Sequence, residues 1–129
     1  MRIQVRDGLA FVSATITFRQ RVIALDDVLL DTGSTGTVFA IDRFDASILF
    51  PEPEDAIHQI SGIGGSEYVF SKKVESLALG EIQVQDFPVE FGAMRYGVPL
   101  DGIIGLDFLL DTGSVIDLGQ LEVYRGDSR

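Results

Sequence analysis

Apolar and polar side chains alternate with a period of two along most of the chain, as strands with one buried face require. Residues 2–6, an Asp7-Gly8 turn and residues 9–18 read as a hairpin, because Asp-Gly accepts the left-handed backbone of a tight turn. Residues 21–30 make another strand, ending in the unbroken apolar run Val28-Leu29-Leu30 expected of a strand covered on both faces. A short apolar strand follows at 38–41. Residues 42–56 are mixed: a short helix around 42–48 is expected, and FPEPED at 50–55 reads as an exposed connection. QISGIGGSEYVF at 59–70 sets two strand-like arms around a glycine-rich tip. Residues 74–79 and 82–91 add strands about a Gly80-Glu81 turn, and MRYGVPLDG at 94–102 is a loop. IIGLDFLL at 103–110 has the spacing of a buried strand running into one short helix, and strands at 115–118 and 121–124 close the chain. Many short strands and one or two brief helices predict an all-β fold.

Totals narrow the function classes. At 129 residues the chain is a single domain, 1–129, and its 46% hydrophobic content suits a folded core. No apolar run approaches the ~18 residues of a membrane span, so no membrane partner is expected. The first residues, MRIQVRDGLAF, alternate like a strand rather than a leader, which makes the cytoplasm the expected compartment. Without cysteine there is no disulfide, no thiolate catalysis and no cysteine-based zinc site. A net charge of -10 repels phosphate backbones, so no nucleic-acid partner is expected. That charge serves solubility, and its sharper reading is a preference for basic or neutral substrates. The single histidine, His58, reads as an exposed loop residue and supplies no Ser-His-Asp set.

The chemistry concentrates in a repeated hexapeptide. LLDTGS occurs at 29–34 and again at 109–114. In the first copy Asp31 ends an apolar strand and is followed by Thr32, Gly33, Ser34, Thr35 and Gly36. Glycine permits the sharp exit, and small hydroxyl residues can hold a carboxylate in place. The second copy follows Gly105-Leu106-Asp107-Phe108 inside the helical segment. Gly113 falls where a helix end commonly takes a left-handed residue. Asp111 therefore reads as part of a helix stop, and Asp107 as a structural hydrogen-bond or salt-bridge partner.

Three blocks, LLDTGST at 29–35, SGIGGSEYVF at 61–70 and DGIIGLDFL at 101–109, stand in the order and spacing of a known family. The chain resembles the retropepsin-like aspartic proteases, single-domain homodimeric enzymes of bacterial or viral type. That resemblance implies an acid protease fold, a closed β-barrel or sandwich with one short C-terminal helix. It implies a homodimer acting on peptide or protein substrates, with catalytic Asp31 from each chain and no metal or other cofactor. Thr32, Gly33 and Ser34 carry over as support for the active-site loop. Gly62, Ile63, Gly64 and Gly65 carry over as a substrate-binding flap. No tyrosine stands at the flap tip, which separates the chain from two-lobed pepsin-like enzymes.

Two other classes compete. A catalytically silent module could keep the fold for dimerisation or peptide binding, but the intact Asp31-Thr32-Gly33 speaks against it. An actin-like ATPase also uses Asp-x-Gly-Ser/Thr loops, yet such folds need two larger α/β lobes that this pattern lacks.

Overall fold

A computed structural model describes residues 1–62, 65–95 and 97–128. Ten strands follow in order: β1 (Gln4–Arg6), β2 (Leu9–Phe18), β3 (Arg21–Leu30), β4 (Val38–Ala40), β5 (Ile57–Gly62), β6 (Gly65–Leu79), β7 (Ile82–Gly92), β8 (Gly102–Ile104), β9 (Ser114–Asp117) and β10 (Glu122–Arg125). The α-helix α1 (Leu106–Asp111) lies between β8 and β9. The first eight strands form one sheet in the order β1-β2-β3-β8-β4-β7-β6-β5, and β2 also pairs with β6, curling the sheet into a partial ring. The all-β acid protease fold expected from the sequence is therefore present.

The turns follow from local chemistry. Asp7 and Gly8 both have positive φ, 53° and 77°, as the β1–β2 hairpin requires. Arg19 and Gln20 make the next tight turn with the same backbone sense, at φ 48° and 67°, although neither residue type advertises it. The 42–48 segment is not a helix: a single 3-10 turn spans Ile41–Arg43, and separate turns follow. Asp45 explains the break, because its Oδ1 accepts from both the N–H and the hydroxyl of Ser47, competing with helical bonding. Strand β6 runs unbroken for 15 residues, joining the second arm of the glycine-rich hairpin to the strand expected at 74–79. His58 lies on β5 rather than in a loop, and it is exposed.

The acidic 50–55 connection is fastened to the sheet. Lys72, only 8% exposed on β6, places its ammonium 2.6 Å from Glu52 Oε1 and 2.7 Å from Asp55 Oδ2. A buried ammonium needs such partners. Phe39, Phe91 and Phe108 are fully buried, and Phe91 packs edge-on against Phe44 at 5.2 Å between ring centres. This core backs the strands that carry the first LLDTGS.

Candidate active site

Two strands that are far apart in sequence set the Asp31 loop. Strand β8 inserts between β3 and β4, parallel to the former and antiparallel to the latter. The chain leaves β3 at Asp31 and returns as β4 on the other side of β8, so the 31–37 loop must arch over the end of β8. Hydrogen bonds hold that arch. Asp31 N–H donates to Ile104 O at 3.0 Å, and Leu106 N–H donates to Ser34 O at 2.7 Å. Gly105 N–H donates to the Thr37 hydroxyl at 3.1 Å. The loop thus rests on the Ile104-Gly105-Leu106 backbone.

Within the loop, Gly33 N–H donates to Asp31 Oδ1 at 2.9 Å, and Ser34 N–H donates to Asp31 O at 3.1 Å. The Ser34 hydroxyl donates to Gly36 O at 2.7 Å. Gly33 and Ser34 therefore shape the turn and orient the carboxylate. Asp31 is partly exposed, and Thr32 and Gly33 are exposed. The carboxylate stands at the surface of the chain rather than inside its core.

Both glycines of DGIIG are packing requirements. A methyl on Gly102 would come within 2.8 Å of Phe39 Cε1, and one on Gly105 within 2.6 Å of the Gly36 carbonyl carbon. Asp107 has the structural role expected for it: its Oδ1 accepts from the Thr37 hydroxyl and from Phe108 N–H, each at 2.8 Å. Asp101, 7% exposed, steadies the approach to the loop. Its Oδ2 accepts from Asp27 N–H at 3.1 Å, and its Oδ1 pairs with Arg43 Nε at 2.7 Å without the alignment of a hydrogen bond.

The second LLDTGS is the end of α1. Thr112 N–H donates to Phe108 O at 3.1 Å, the Thr112 hydroxyl turns back to the same carbonyl at 2.8 Å, and Gly113 takes φ 59°. Asp111 sits in that last turn, on the helix rather than in the Asp31 loop.

The glycine-rich hairpin is present as the arms β5 and β6, paired to the Gly62–Gly65 rung. Of the residues expected to form a flap, Ile63 and Gly64 lie outside the described residues. The first arm and the Asp31 loop flank a pocket of about 370 Å³. Thr35 and Thr37 line it from the loop, His58 and Ile60 from β5, Glu90 from β7 and Asp107 from α1. Sequence reasoning missed Glu90, although one signal was available: a lone acid inside the apolar stretch FPVEF. Burial pushes the Glu90 carboxyl above the usual carboxylate range. A nearby His58 opposes that rise, and Asp107 adds to it. Among the described residues no cluster of three or more His, Asp or Glu could hold a metal ion.

An all-β acid protease fold with an Asp-Thr-Gly loop braced on a strand-to-helix junction defines a class, the aspartic proteases. The family model described as aspartyl protease matches residues 14–108, about three quarters of the chain, and the chain belongs to that family. A comparison with curated proteins gives no match.

Proposed function

We propose that the chain is a retropepsin-like aspartic endopeptidase working as a homodimer, with one Asp31 from each copy facing the other across a two-fold axis. The observation that carries this reading is the setting of the two Asp-Thr-Gly triplets. One stands open on a braced loop at the protein surface, and the other closes a helix. A dyad mechanism needs two carboxylates, so a second copy of the chain supplies the missing one. Exposed leucines support a docking face there. Leu106 is 38% exposed and Leu110 71% exposed, on a helix whose first N–H is bonded to the loop.

Two carboxylates at close range share a proton and titrate as a pair. The ionised Asp31 removes a proton from a bound water, which attacks the scissile carbonyl. The protonated Asp31 polarises that carbonyl and afterwards helps protonate the leaving nitrogen. Thr32, exposed in the single chain, supports the paired loops from below, and the β5–β6 hairpin covers the peptide.

The test sets Asp31→Asn beside Asp111→Asn. Asn cannot accept the water's proton, so Asp31→Asn abolishes turnover of a peptide substrate while the fold survives. Asp111→Asn keeps turnover close to that of the unmodified protein and changes stability by ~0.5 kcal/mol, as surface substitutions do. The opposite pattern in well-folded proteins refutes the assignment, and peptide binding without turnover in the unmodified protein establishes a silent module instead.

A further inference from the structure

We propose that the pocket beside the Asp31 loop is a specificity site for a basic side chain, with Glu90 as its selecting residue. The inference rests on the peptidase reading above and names one feature of its substrate. The pocket is at the small end of ligand-binding cavities, room for one long side chain rather than a folded ligand. Glu90 is tied to the loop by its backbone, since its N–H donates to Thr37 O at 2.9 Å. Its carboxylate lies over Gly36, where a methyl group would come within 2.9 Å of Oε1. The bare glycine makes space for the acid.

No hydrogen bond or ion pair from the described residues satisfies that carboxylate. Asp107 contributes a second negative charge from α1, but its Oδ1 is already engaged by Thr37 and Phe108. Among the described residues lining the pocket, exposed His58 on β5 is the one basic member. The other walls are neutral: Thr35, Thr37 and Ser71 offer hydroxyls, while Ile60 and Pro88 offer apolar surface. That combination suits Lys or Arg, whose methylene stem packs on apolar groups while the charged head meets the acid. Burial and then the nearby Asp107 raise the cost of ionising Glu90, and an incoming cation relieves it. A metal ion does not fit, because no set of three ligands converges there among the described residues.

The experiment scans each position flanking the cleaved bond of a peptide with Lys, norleucine and Glu. It reads KM and kcat with the active protein and Kd with Asp31→Asn protein by calorimetry. At one position Lys beats norleucine by about tenfold or more, in KM and Kd rather than kcat. The ratio falls with added salt. Glu90→Gln brings it towards one, and Glu90→Asp keeps part of it. Glu90→Gln also melts no lower than the unmodified protein at neutral pH, because it removes a carboxylate whose ionisation burial disfavours. The proposal is overturned if no position prefers Lys over norleucine, or if the preference survives Glu90→Gln in a folded protein. Absence of all cleavage refutes the peptidase reading, and the calorimetric arm then still decides the pocket: equal Kd values for Lys and norleucine peptides sink it.

Discussion

Gly105→Ala attacks the Asp31 loop through its backbone support and leaves the Asp31 side chain itself unchanged. The added methyl would lie 2.6 Å from the Gly36 carbonyl carbon and 2.9 Å from Ser34 O, where ordinary contact begins at 3.4 Å. Both partners are main-chain atoms of the loop, so no side chain can swing aside. Either the loop lifts or the β8–α1 junction retreats, by about 1 Å in each case. The bonds from Gly105 N–H to the Thr37 hydroxyl and from Leu106 N–H to Ser34 O stretch with it. Overpacking with partial loss of these bonds costs ~2 kcal/mol. In a domain of this size that lowers Tm by about 6–8 °C. The larger effect falls on catalysis. A carboxylate displaced by about 1 Å from its reacting geometry loses roughly 100-fold in rate.

The assay pairs kcat/KM on one peptide with thermal melting, and it uses Gly113→Ala as the comparison. Gly113 has φ 59° and nothing within 4 Å of an added methyl, so its substitution carries backbone strain without collision. It costs ~1 kcal/mol and leaves turnover unchanged. If Gly105→Ala matches the unmodified protein in both rate and Tm, the loop is not held by this packing. If both variants lose rate in proportion to stability alone, the damage is general rather than positional.

Two further outcomes follow from the same geometry. Activity per chain falls on dilution as the proposed dimer dissociates, and sedimentation at micromolar concentration shows twice the 14.1 kDa chain mass; a strictly monomeric protein that still cleaves peptide refutes the shared site. Lys72→Met leaves Asp55 without its ammonium and Glu52 with Arg19 alone, and it lowers Tm at neutral pH. The hydrogen bond from Lys72 holds Glu52 below the usual carboxylate range; for Asp55 burial acts upward but is outweighed by Lys72 and the Glu52 N–H. Depressed carboxylates stabilise above their unfolded pKa and lose that contribution as pH falls through the folded value, so the Tm gap between the two proteins closes towards acid. A gap independent of pH between 7 and about 3 would show that Lys72 acts by packing alone.

Legibility in the sequence followed the range of the interactions. The β1–β2 hairpin, the bounds of β3 and the short helix after IIG were readable, because Asp-Gly, period-two alternation and a switch to helical spacing are local signals. What the alternation could not convey was which strands pair. The insertion of β8 between β3 and β4 joins segments some 70 residues apart, and that insertion is what braces Asp31. The Lys72 ion pairs were hidden for the same reason, so FPEPED looked like a free loop. Glu90 was passed over because one acid in a strand ordinarily faces solvent. Only the fold places it over a bare glycine, in a pocket that β5 also lines.

The repeated LLDTGS isolates context from composition, since six identical residues make two different structures. The first copy enters from β3, in which Val28 is fully buried and Leu29 and Leu30 pair with Ile103 and Ile104 of β8. With its backbone committed to that ladder, the chain has no freedom to coil, and Asp-Thr-Gly becomes the exit from a strand. The second copy enters from Gly105, which caps a turn already begun. Phe108 and Leu109 face the core while Leu110 faces out, the spacing of a helix rather than a strand. Here the Thr112 hydroxyl finds the Phe108 carbonyl one turn back, and Gly113 takes the left-handed angle that ends the helix. The same threonine side chain that is exposed at position 32 is 3% exposed at position 112. A motif search weighs both copies equally; the backbone partner of the two preceding leucines separates them.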